Sequence, residues 1–307
     1  MTLWERFPSR ENRWSSRTCA LPPRRWWVGA SPRSSSRCWV VRRTEGKGIR
    51  EGNAEWLEAG RLLGEGVALY FTRRWGGVSP PPFASLNLSA AGGDRPGNVL
   101  RNRVRVAERL GVELHRLVFM RQVHGTRVCR VREGGKRRER VVPAADGLFT
   151  TRPGLVLAAL TADCVPLALG FPQPRGVAML HAGWRGTLHD IAGETLRRLR
   201  ALGVRPEEVR AVMGPAIGPC CYRVDEGRAR LFVEKYGWES GVVEEEGGFR
   251  LDLLKANRIN LVRAGLREEN IYRVGGCTCC DEDYFSFRRD GRTGRQGALV
   301  MMYATEG

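Results

Sequence analysis

Cys164 and His181 are the two residues whose types and spacing most directly suggest chemistry in this sequence. They lie at two apolar runs, residues 155–169 and 177–181, each predicted as one strand and joined by a link, residues 171–176, that contains Pro and Gly. Short apolar runs bounded by such turn residues predict the two strands of a β-hairpin. The hairpin would bring a thiol and an imidazole towards each other.

The register of this hairpin determines how close the two side chains come. Pairing Gly170 with Gly176 places Val165 opposite His181, and facing residues have Cβ atoms about 4.5–5.5 Å apart. Cys164 and His181 are therefore expected to be neighbours within one residue of register. They could share a metal ion or form a nucleophile–base pair. A buried structural cysteine beside a hydrogen-bonded histidine is the alternative, and the residues alone leave both open.

Imidazole chemistry in this chain must draw on four histidines. His124 ends a predicted strand and is followed by Gly125. His181 also ends a predicted strand, with Gly183 two positions further on. His115 and His189 are predicted to be structural or exposed. Together, His124, Cys164 and His181 would give zinc three ligands and leave a fourth position open. Spacing supports only the proximity of Cys164 and His181; nothing in it places His124 beside them.

Other signatures of catalysis or metal binding are weak or missing. The sequence lacks H-E-x-x-H, the deaminase H-x-E, G-x-S-x-G, the P-loop and G-x-G-x-x-G. Cysteines also occur at 220–221 and at 277, 279 and 280. Their separations are not those of paired zinc knuckles, so buried thiols are predicted there.

Strands and helices alternate along the chain, with hairpins between some of them. Periodicity predicts strands at 66–72, 117–123 continued at 126–131, 209–213, 271–274 and 296–303. It predicts helices at 56–63, 98–110, 187–202, 228–236 and 253–264, and loops at 132–140 and 285–295. The predicted fold class is α/β, a single domain with a mixed sheet flanked by helices.

The net charge of +18 is unevenly distributed. Residues 1–50 hold twelve Arg or Lys and three Glu, half of the net charge. Residues 1–53 are predicted to be a basic disordered extension or a mis-assigned start, and 54–307 the folded domain. Nine unevenly spaced cysteines, no long apolar run and no signal-peptide pattern favour a reducing cytoplasm and exclude a membrane partner.

Several longer words resemble one known family. They are QVHGT (122–126), ADG (145–147), TADCVP (161–166), HAGWRG (181–186), GPAIGPCCY (214–222) and FSFRRD (285–290). These words resemble the polyphenol oxidase/laccase-domain family, whose bacterial YfiH/YlmD-like members are described as multifunctional purine nucleoside phosphorylases. The resemblance covers nearly the whole chain from residue 67 to 303.

The resemblance implies a zinc site formed by His124, Cys164 and His181, with copper as the alternative metal. It implies phosphorolysis of adenosine, inosine and methylthioadenosine, with adenosine deaminase activity as a further expectation. Purine nucleosides and phosphate are then the partners, nucleic acid is not expected, and the chain would be a monomer or homodimer. The same three residues and Asp163 are the candidate catalytic group, with Asp163 orienting a ligand or carrying a proton.

Candidate substrate contacts come from the quoted words and from arginine-containing loops. They are Arg74, Asn87, Gln122 and Arg185, the two arginines being candidate phosphate clamps. The sequence departs from the family at Arg73, where a small polar residue is usual, and at 91–94, where Ala-Gly-Gly-Asp replaces His-Val-Gly-Asp. These departures lie beside two of the predicted substrate contacts in the sequence, Arg74 and Asn87. The alternatives are a copper-dependent phenol oxidase, for which four histidines are too few to fill a multicopper cluster, and a non-catalytic RNA-binding protein using the basic extension.

Overall fold

The computed structural model describes residues 56–237, 241–245 and 247–304, so the predicted extension over residues 1–53 lies outside the described part of the chain. In the described part, the strands are β1 (Trp56–Glu58), β2 (Val67–Thr72), β3 (Leu117–Met120), β4 (Val128–Arg130), β5 (Arg140–Val142), β6 (Gly147–Thr150), β7 (Val156–Thr161), β8 (Val165–Pro172), β9 (Arg175–Ala182), β10 (Arg210–Met213), β11 (Arg223–Val224), β12 (Val242–Glu245), β13 (Gly248–Leu251), β14 (Ile271–Arg273) and β15 (Gln296–Met302). The α-helices are α1 (Pro96–Arg109), α2 (Trp184–Leu188), α3 (Ile191–Arg200), α4 (Glu226–Tyr236), α5 (Leu253–Arg263) and α6 (Phe287–Asp290). None of these helices is long and apolar enough to cross a membrane.

Most of the strands form two six-stranded sheets. The first sheet has the order β1-β2-β15-β7-β3-β5, and the second has the order β14-β10-β8-β9-β6-β4. In the first, β7, β3 and β5 are parallel and the other pairs antiparallel. In the second, the two outermost pairs are parallel and the inner strands antiparallel. The predicted α/β class with mixed strand pairing is confirmed, with two mixed sheets where one was expected.

The two sheets pack face to face, and helices cover their outer faces. Alternation along β7 sends Leu157 into the core shared with the second sheet and Ala158 into the core beneath α1. Along β8, Ala168 lies in the shared core while Leu167 and Leu169 pack with α3, α4 and α5. The layers are therefore helix, sheet, sheet and helices. Strands buried on both faces read as continuous apolar runs, so two strands, β7 and β8, appeared in the sequence as one.

The central hairpin consists of β8 and β9, in a register one residue from the predicted one. Phe171 faces Gly176 and Val165 faces Ala182, so Pro166 is opposite His181. Gly176 fixes this pairing, because a Cβ there would lie 2.1 Å from Cε2 of Phe171. The difference stays within the predicted tolerance of one residue.

The strand predicted to continue through residues 117–131 is instead divided between the sheets. β3 pairs with β7 in the first sheet, and β4 pairs with β6 in the second. His124 lies on the connection between them with a φ of 60°. This left-handed conformation is uncommon for a residue with a side chain, and here the chain turns from one sheet to the other.

The helix predicted at residues 56–63 is wrong. The chain forms β1 and then a 3-10 turn at Gly60–Leu62. Trp56 lies in the core beneath α1 and Leu57 in the core between the sheets. Consecutive residues point to opposite faces in a strand, so this burial pattern requires an extended chain.

The helix predicted at residues 187–202 is broken into α2 and α3. Asp190 separates them with a φ of 61°, and its Oδ1 accepts the backbone N–H of Gly193 at 2.9 Å as the N-cap of α3. His189 is the C-terminal cap residue of α2. Elements that the sequence did not predict are β5, β6, the three-stranded sheet β11-β13-β12, and α6 within the predicted loop 285–295.

Candidate active site

His124, Cys164 and His181 lie together where the two sheets meet. Their ligand atoms are all within 4.8 Å of one another. The Sγ of Cys164 is 4.0 Å from Nε2 of His124, and the two imidazole ring centroids are 4.9 Å apart. His124 comes from the β3–β4 connection, Cys164 immediately precedes β8, and His181 lies on β9. The three residues that the sequence singled out as metal ligands are thus brought together; we call them the His–Cys–His set.

Asp146 holds two members of this set in place. Its fully buried carboxylate accepts backbone N–H groups from Val123, His124 and Gly125 at 3.1, 2.9 and 2.9 Å. Its Oδ1 is also 2.9 Å from Nδ1 of His181. An ionised carboxylate only accepts hydrogen bonds, so His181 donates from Nδ1 and keeps Nε2 for a ligand. Sequence reasoning did not single out Asp146, and the only signal was its place in the word ADG.

The charges of the set are strongly coupled. Burial raises the pKa of the Cys164 thiol, but the charge of His181 and hydrogen bonds from both histidines outweigh it and lower the pKa to about 6. Burial lowers the pKa of His181, but Cys164 and Asp146 outweigh it and raise the pKa to about 9. Without a metal ion, each group thus favours the charged form of the other, a thiolate on Cys164 and a proton on Nε2 of His181; a bound metal ion would replace that proton. A thiolate is the form that binds metal ions or acts as a nucleophile.

Gly183 makes room for the set. A Cβ at this position would lie 2.9 Å from Cδ2 of His124 and 3.1 Å from Sγ of Cys164. Gly183 is also the N-cap residue of α2. The glycine of the word HAGWRG therefore allows close approach of the backbone to two of the three candidate ligands.

Asp163, a predicted catalytic residue, is fixed by hydrogen bonds. Its Oδ1 accepts from the hydroxyl of Thr278 at 2.7 Å, and its Oδ2 accepts from the backbone N–H of Arg288 at 2.6 Å. Its carbonyl oxygen accepts the backbone N–H of Ile217 at 2.9 Å, and its φ is 94°. These contacts define the turn that presents Cys164, which favours a positioning role over proton transfer.

A cavity of about 850 Å³ opens at the His–Cys–His set. Six arginines and four aromatic residues contribute to its lining, and Asp163 is the one carboxylate among the described residues that line it. The lining arginines are Arg103, Arg121, Arg185, Arg228, Arg288 and Arg295; the aromatic residues are Phe119, Trp184, Tyr222 and Phe287. A pocket of this size and charge suits an anionic ligand with a flat ring.

Several of these guanidinium groups stack on aromatic rings. Arg185 and Arg228 both lie over Trp184, at 4.7 and 4.5 Å from the ring centroid. Arg288 lies over Tyr222 at 5.1 Å. The Nε of Arg228 is buried without a hydrogen-bond partner among the described residues. The Nη2 of the same guanidinium pairs with Asp225 at 3.3 Å, so Nε is the nitrogen for which an oxyanion in the cavity would supply an acceptor.

Two of the predicted substrate contacts line the cavity. Arg185 does so while stacked on Trp184, and Gln122 does so with its amide already engaged. The amide of Gln122 donates to the carbonyl of Leu160 at 2.7 Å and accepts its N–H at 2.8 Å. Gln122 therefore ties the His124 connection to β7.

The structure does not bring the other two, Arg74 and Asn87, to the cavity. Arg74 donates from Nε to the carbonyl of Ala84 at 2.9 Å, and it is not among the lining residues. Asn87 is fully buried, and its Oδ1 accepts the backbone N–H of Arg295 at 3.0 Å. Asn87 thus supports a cavity residue from behind. Arg228, which sequence reasoning missed, gave no signal beyond its place at the start of a predicted helix.

Fold and site together define a mixed α/β protein with a three-residue nitrogen and sulfur donor set opening into a basic cavity. Comparison with known proteins identifies the family. The model of the family described as multi-copper polyphenol oxidoreductase laccase matches residues 68–303, and the chain belongs to this family.

Two relatives with similar sequences are named purine nucleoside phosphorylases. A protein of Geobacillus stearothermophilus named purine nucleoside phosphorylase YlmD is 39% identical over 256 residues, which cover 80% of this chain and 93% of the relative. A protein of Deinococcus radiodurans named purine nucleoside phosphorylase is 39% identical over 238 residues, covering 77% of this chain and 90% of the relative.

Solved structures show the same fold. The structure of YlmD from Geobacillus stearothermophilus matches with a TM-score of 0.79 at 37% identity, covering 83% of this chain and 99% of the other. The structure of the hypothetical protein YfiH of Bacillus licheniformis matches with a TM-score of 0.78 at 36% identity, covering 83% and 98%.

Proposed function

We propose that this protein is a purine nucleoside phosphorylase that acts on adenosine, inosine and methylthioadenosine and also deaminates adenosine. The observation that carries the proposal is the opening of the His–Cys–His set into an arginine-lined cavity. The names of the curated relatives support the same activity. The reducing cytoplasm is the proposed location.

The donor set fits zinc. Two imidazole nitrogens and one thiolate sulfur within 4.8 Å of one another match catalytic zinc sites, which have three protein ligands and one open position. Bound there, zinc would supply a Lewis-acid charge beside the substrate. Copper accepts the same donors, but the candidate metal groups include only two of the chain's four histidines, too few for a multicopper oxidase.

The cavity lining provides separate partners for phosphate and purine. Arg228, with its buried Nε lacking an acceptor within the described residues, and Arg288 are the proposed phosphate ligands, because guanidinium groups bind phosphate oxygens bidentately. Phe287, an exposed ring in the lining, offers a face for the base, since the ring of Trp184 already stacks with Arg185 and Arg228. The flat purine and the anionic nucleophile would thus bind side by side.

Phosphorolysis then proceeds by positioning and charge. A phosphate oxygen forms a bond to C1′ of the ribose as the bond from C1′ to the purine nitrogen breaks, and its electron pair leaves with the base, which takes up a proton. The products are a purine and ribose 1-phosphate, or 5-methylthioribose 1-phosphate when the substrate is methylthioadenosine. The arginines hold the attacking phosphate and compensate its charge, and Asp146 and Asp163 keep the His–Cys–His set and its turn in place. In deamination, water replaces the amino group of the purine and ammonia leaves.

Product analysis with adenosine, with and without phosphate, tests the proposal on protein whose metal content is known. Adenine and ribose 1-phosphate that appear only with phosphate support phosphorolysis, and inosine and ammonia support deamination. Cys164→Ala should abolish both activities, whereas Cys129→Ala, a change in β4 outside the site, should keep them. A folded Cys164→Ala protein with full phosphorolysis would falsify the assignment of the site.

A further inference from the structure

A second group of sulfur atoms lies at the carboxyl ends of β10 and β14. Its four side chains have sulfurs within 4.8 Å of one another. We call it the four-cysteine cluster; its members are Cys220, Cys221, Cys277 and Cys280. No residue of this cluster belongs to the His–Cys–His set or lines the cavity beside it.

Strand pairing brings the two halves of the cluster together. β10 and β14 are parallel neighbours, so the loops that follow them leave the same edge of the sheet. The pairing continues as an isolated parallel bridge between Ala216 and Cys277, and Thr278 donates its backbone N–H to the carbonyl of Ala216 at 3.1 Å. The positions of the cysteines are therefore set by the backbone.

The distances between the sulfurs suit one ion. Sγ of Cys280 lies 3.5 Å from Sγ of Cys220 and 3.3 Å from Sγ of Cys221. Four sulfurs at about 2.3 Å from a tetrahedral zinc ion stand about 3.8 Å apart. These atoms are close to that arrangement, and the two measured separations are well beyond the about 2.05 Å of a disulfide. Sulfurs that bind one ion lie close together, whereas cysteine sulfurs that bind different irons of an iron–sulfur cluster lie further apart. The short separations here therefore favour a single ion.

The surroundings suit a negatively charged metal–thiolate centre. The backbone N–H of Gly218 donates to Sγ of Cys277 at 3.2 Å, as amides around bound thiolates do. Arg250 donates to the carbonyl of Cys220, and Arg289 donates to the carbonyls of Thr278 and Asp281 at 3.0 and 3.1 Å. Both loops of the cluster are thus held by positive side chains.

We propose that the four-cysteine cluster is a second metal site, a closed structural site in which four thiolates bind one zinc ion and release their protons to solvent. Four protein sulfurs leave no position for a substrate, which is the pattern of structural zinc rather than catalytic zinc. The spacing Cys277-x-x-Cys280 is the usual two-residue spacing of such sites. Sequence reasoning predicted buried thiols here because it could not know that β10 and β14 are neighbours.

The site would stabilise one wall of the cavity. Ile217 and Tyr222, which line the cavity, flank Cys220 and Cys221 in sequence. Thr278, next to Cys277, holds the carboxylate of Asp163. An ion joining the two loops would therefore fix the turn that presents Cys164 without touching the substrate.

Metal analysis of the purified full-length chain tests the proposal independently of activity. With zinc supplied, the wild-type protein should carry two ions per chain. Cys164→Ala should keep one ion, held by the four-cysteine cluster. Cys277→Ser should lose that ion, keep the ion of the His–Cys–His set, and melt at a lower temperature. Cys279→Ser, beside the cluster but outside it, and Cys129→Ser are the matched controls and should retain both ions.

Spectroscopy on Cys164→Ala protects the test against a Cys277→Ser protein that fails to fold. X-ray absorption at the zinc edge should show a shell of four sulfurs, and cobalt substitution should give intense thiolate charge-transfer bands with tetrahedral ligand-field bands. A zinc shell containing nitrogen or oxygen, a Cys164→Ala protein without metal, or a disulfide between cluster cysteines in protein purified without reductant or oxidant would overturn the proposal. Since these readouts do not involve nucleosides, failure of the proposed enzymatic function leaves their outcome unchanged.

Discussion

The carboxylate of Asp146 and the imidazole of His181 form a buried pair in which Oδ1 and Nδ1 are 2.9 Å apart. The same carboxylate accepts three consecutive backbone N–H groups on the connection that carries His124. The side chain of Asp146 therefore positions two candidate metal ligands, His181 on the second sheet and His124 between the sheets. Burial raises the pKa of Asp146, but these hydrogen bonds outweigh it and keep the pKa low, so the carboxylate is ionised.

Asp146→Asn should weaken metal binding at the His–Cys–His set by about 10–100-fold, the usual effect of losing a hydrogen-bond partner of a metal-binding histidine. The asparagine oxygen can still accept hydrogen bonds. Its NH₂ group, however, is a donor that would face the backbone N–H groups of the His124 connection, so at least one of the present hydrogen bonds would be lost. Competition with a chromophoric chelator measures the affinity. Asp252→Asn, at the N-cap of α5, is the control and should bind metal normally; equal affinities for the two variants would show that Asp146 does not position the ligands.

Gly183→Ala should lower kcat/KM by about 10²-fold with little change in melting temperature. The added Cβ would press on His124 and Cys164, and displacements of about 1 Å at reacting groups have effects of this size. The backbone of Gly183 has a φ of −71°, which alanine adopts freely. Steady-state kinetics and thermal melting measure the two quantities.

Gly97→Ala is the control for this substitution, because a Cβ at Gly97 meets no atom within 4 Å. It should leave both quantities unchanged. If Gly183→Ala kept full activity, the space between the backbone and the two candidate ligands would not matter for catalysis.

Arg228→Gln should raise KM for phosphate at least about tenfold while changing KM for the nucleoside less. The variant removes a guanidinium that pairs with Asp225 through Nη2 but whose buried Nε lacks an acceptor within the described residues, and hydrogen bonds to charged groups contribute about 1.5–3 kcal/mol. Arg230→Gln, two residues along the same helix and paired with Glu226 at the surface, should behave as wild type. Equal increases in both KM values would assign Arg228 to the general shape of the cavity instead.

Asp94 should make the protein less stable in acid. Burial raises its pKa, but hydrogen bonds from Ser79, Asn87 and Asn98 and from the N–H of Arg95 outweigh it and hold the pKa below the ordinary 3.8. A carboxyl group with a lowered pKa in the folded state contributes stability above its unfolded pKa, and this contribution is lost as the pH falls through the folded pKa. Wild-type stability should therefore fall below about pH 4.

Asp94→Asn isolates this contribution. It should destabilise the protein by about 1–3 kcal/mol at pH 7, since charged acceptors form the stronger hydrogen bonds. The difference from wild type, measured by urea unfolding between pH 7 and pH 3, should narrow as the pH falls. A constant difference across this range would mean that the charge of Asp94 plays no part.

The sequence predicted the parts of the site that follow from local pattern. The link at 171–176 predicted the hairpin, and the register was within one residue because a turn limits the choices. The helices at α1, α4 and α5 followed from apolar periodicity and terminal glycines. The end of a predicted strand made His124 a candidate, but its place beside Cys164 and His181 came only from the resemblance, since periodicity does not reveal that β3 and β4 belong to different sheets.

The remaining features depend on contacts between distant segments. Asp146 and His181 are 35 positions apart, and no local signal links a buried carboxylate to a particular imidazole. Arg74 looked like a phosphate ligand because loop arginines often are, but its guanidinium is bound to a nearby carbonyl. The four-cysteine cluster required the order of the strands in the second sheet, which one sequence does not encode in any short pattern.

The crossing of the chain at His124 makes the donor set sensitive to the alignment of the two sheets. Cys164 and His181 belong to the hairpin of the second sheet, whereas the His124 connection is held from both sides, by Gln122 to β7 of the first sheet and by Asp146 beside β6 of the second. A ligand bound by all three residues would therefore oppose sliding of one layer over the other, and saturation with it would raise the free energy of unfolding by mass action. The complete donor set forms only when both sheets are in place. Binding of a metal ion by all three residues would therefore measure whether the two sheets have packed together.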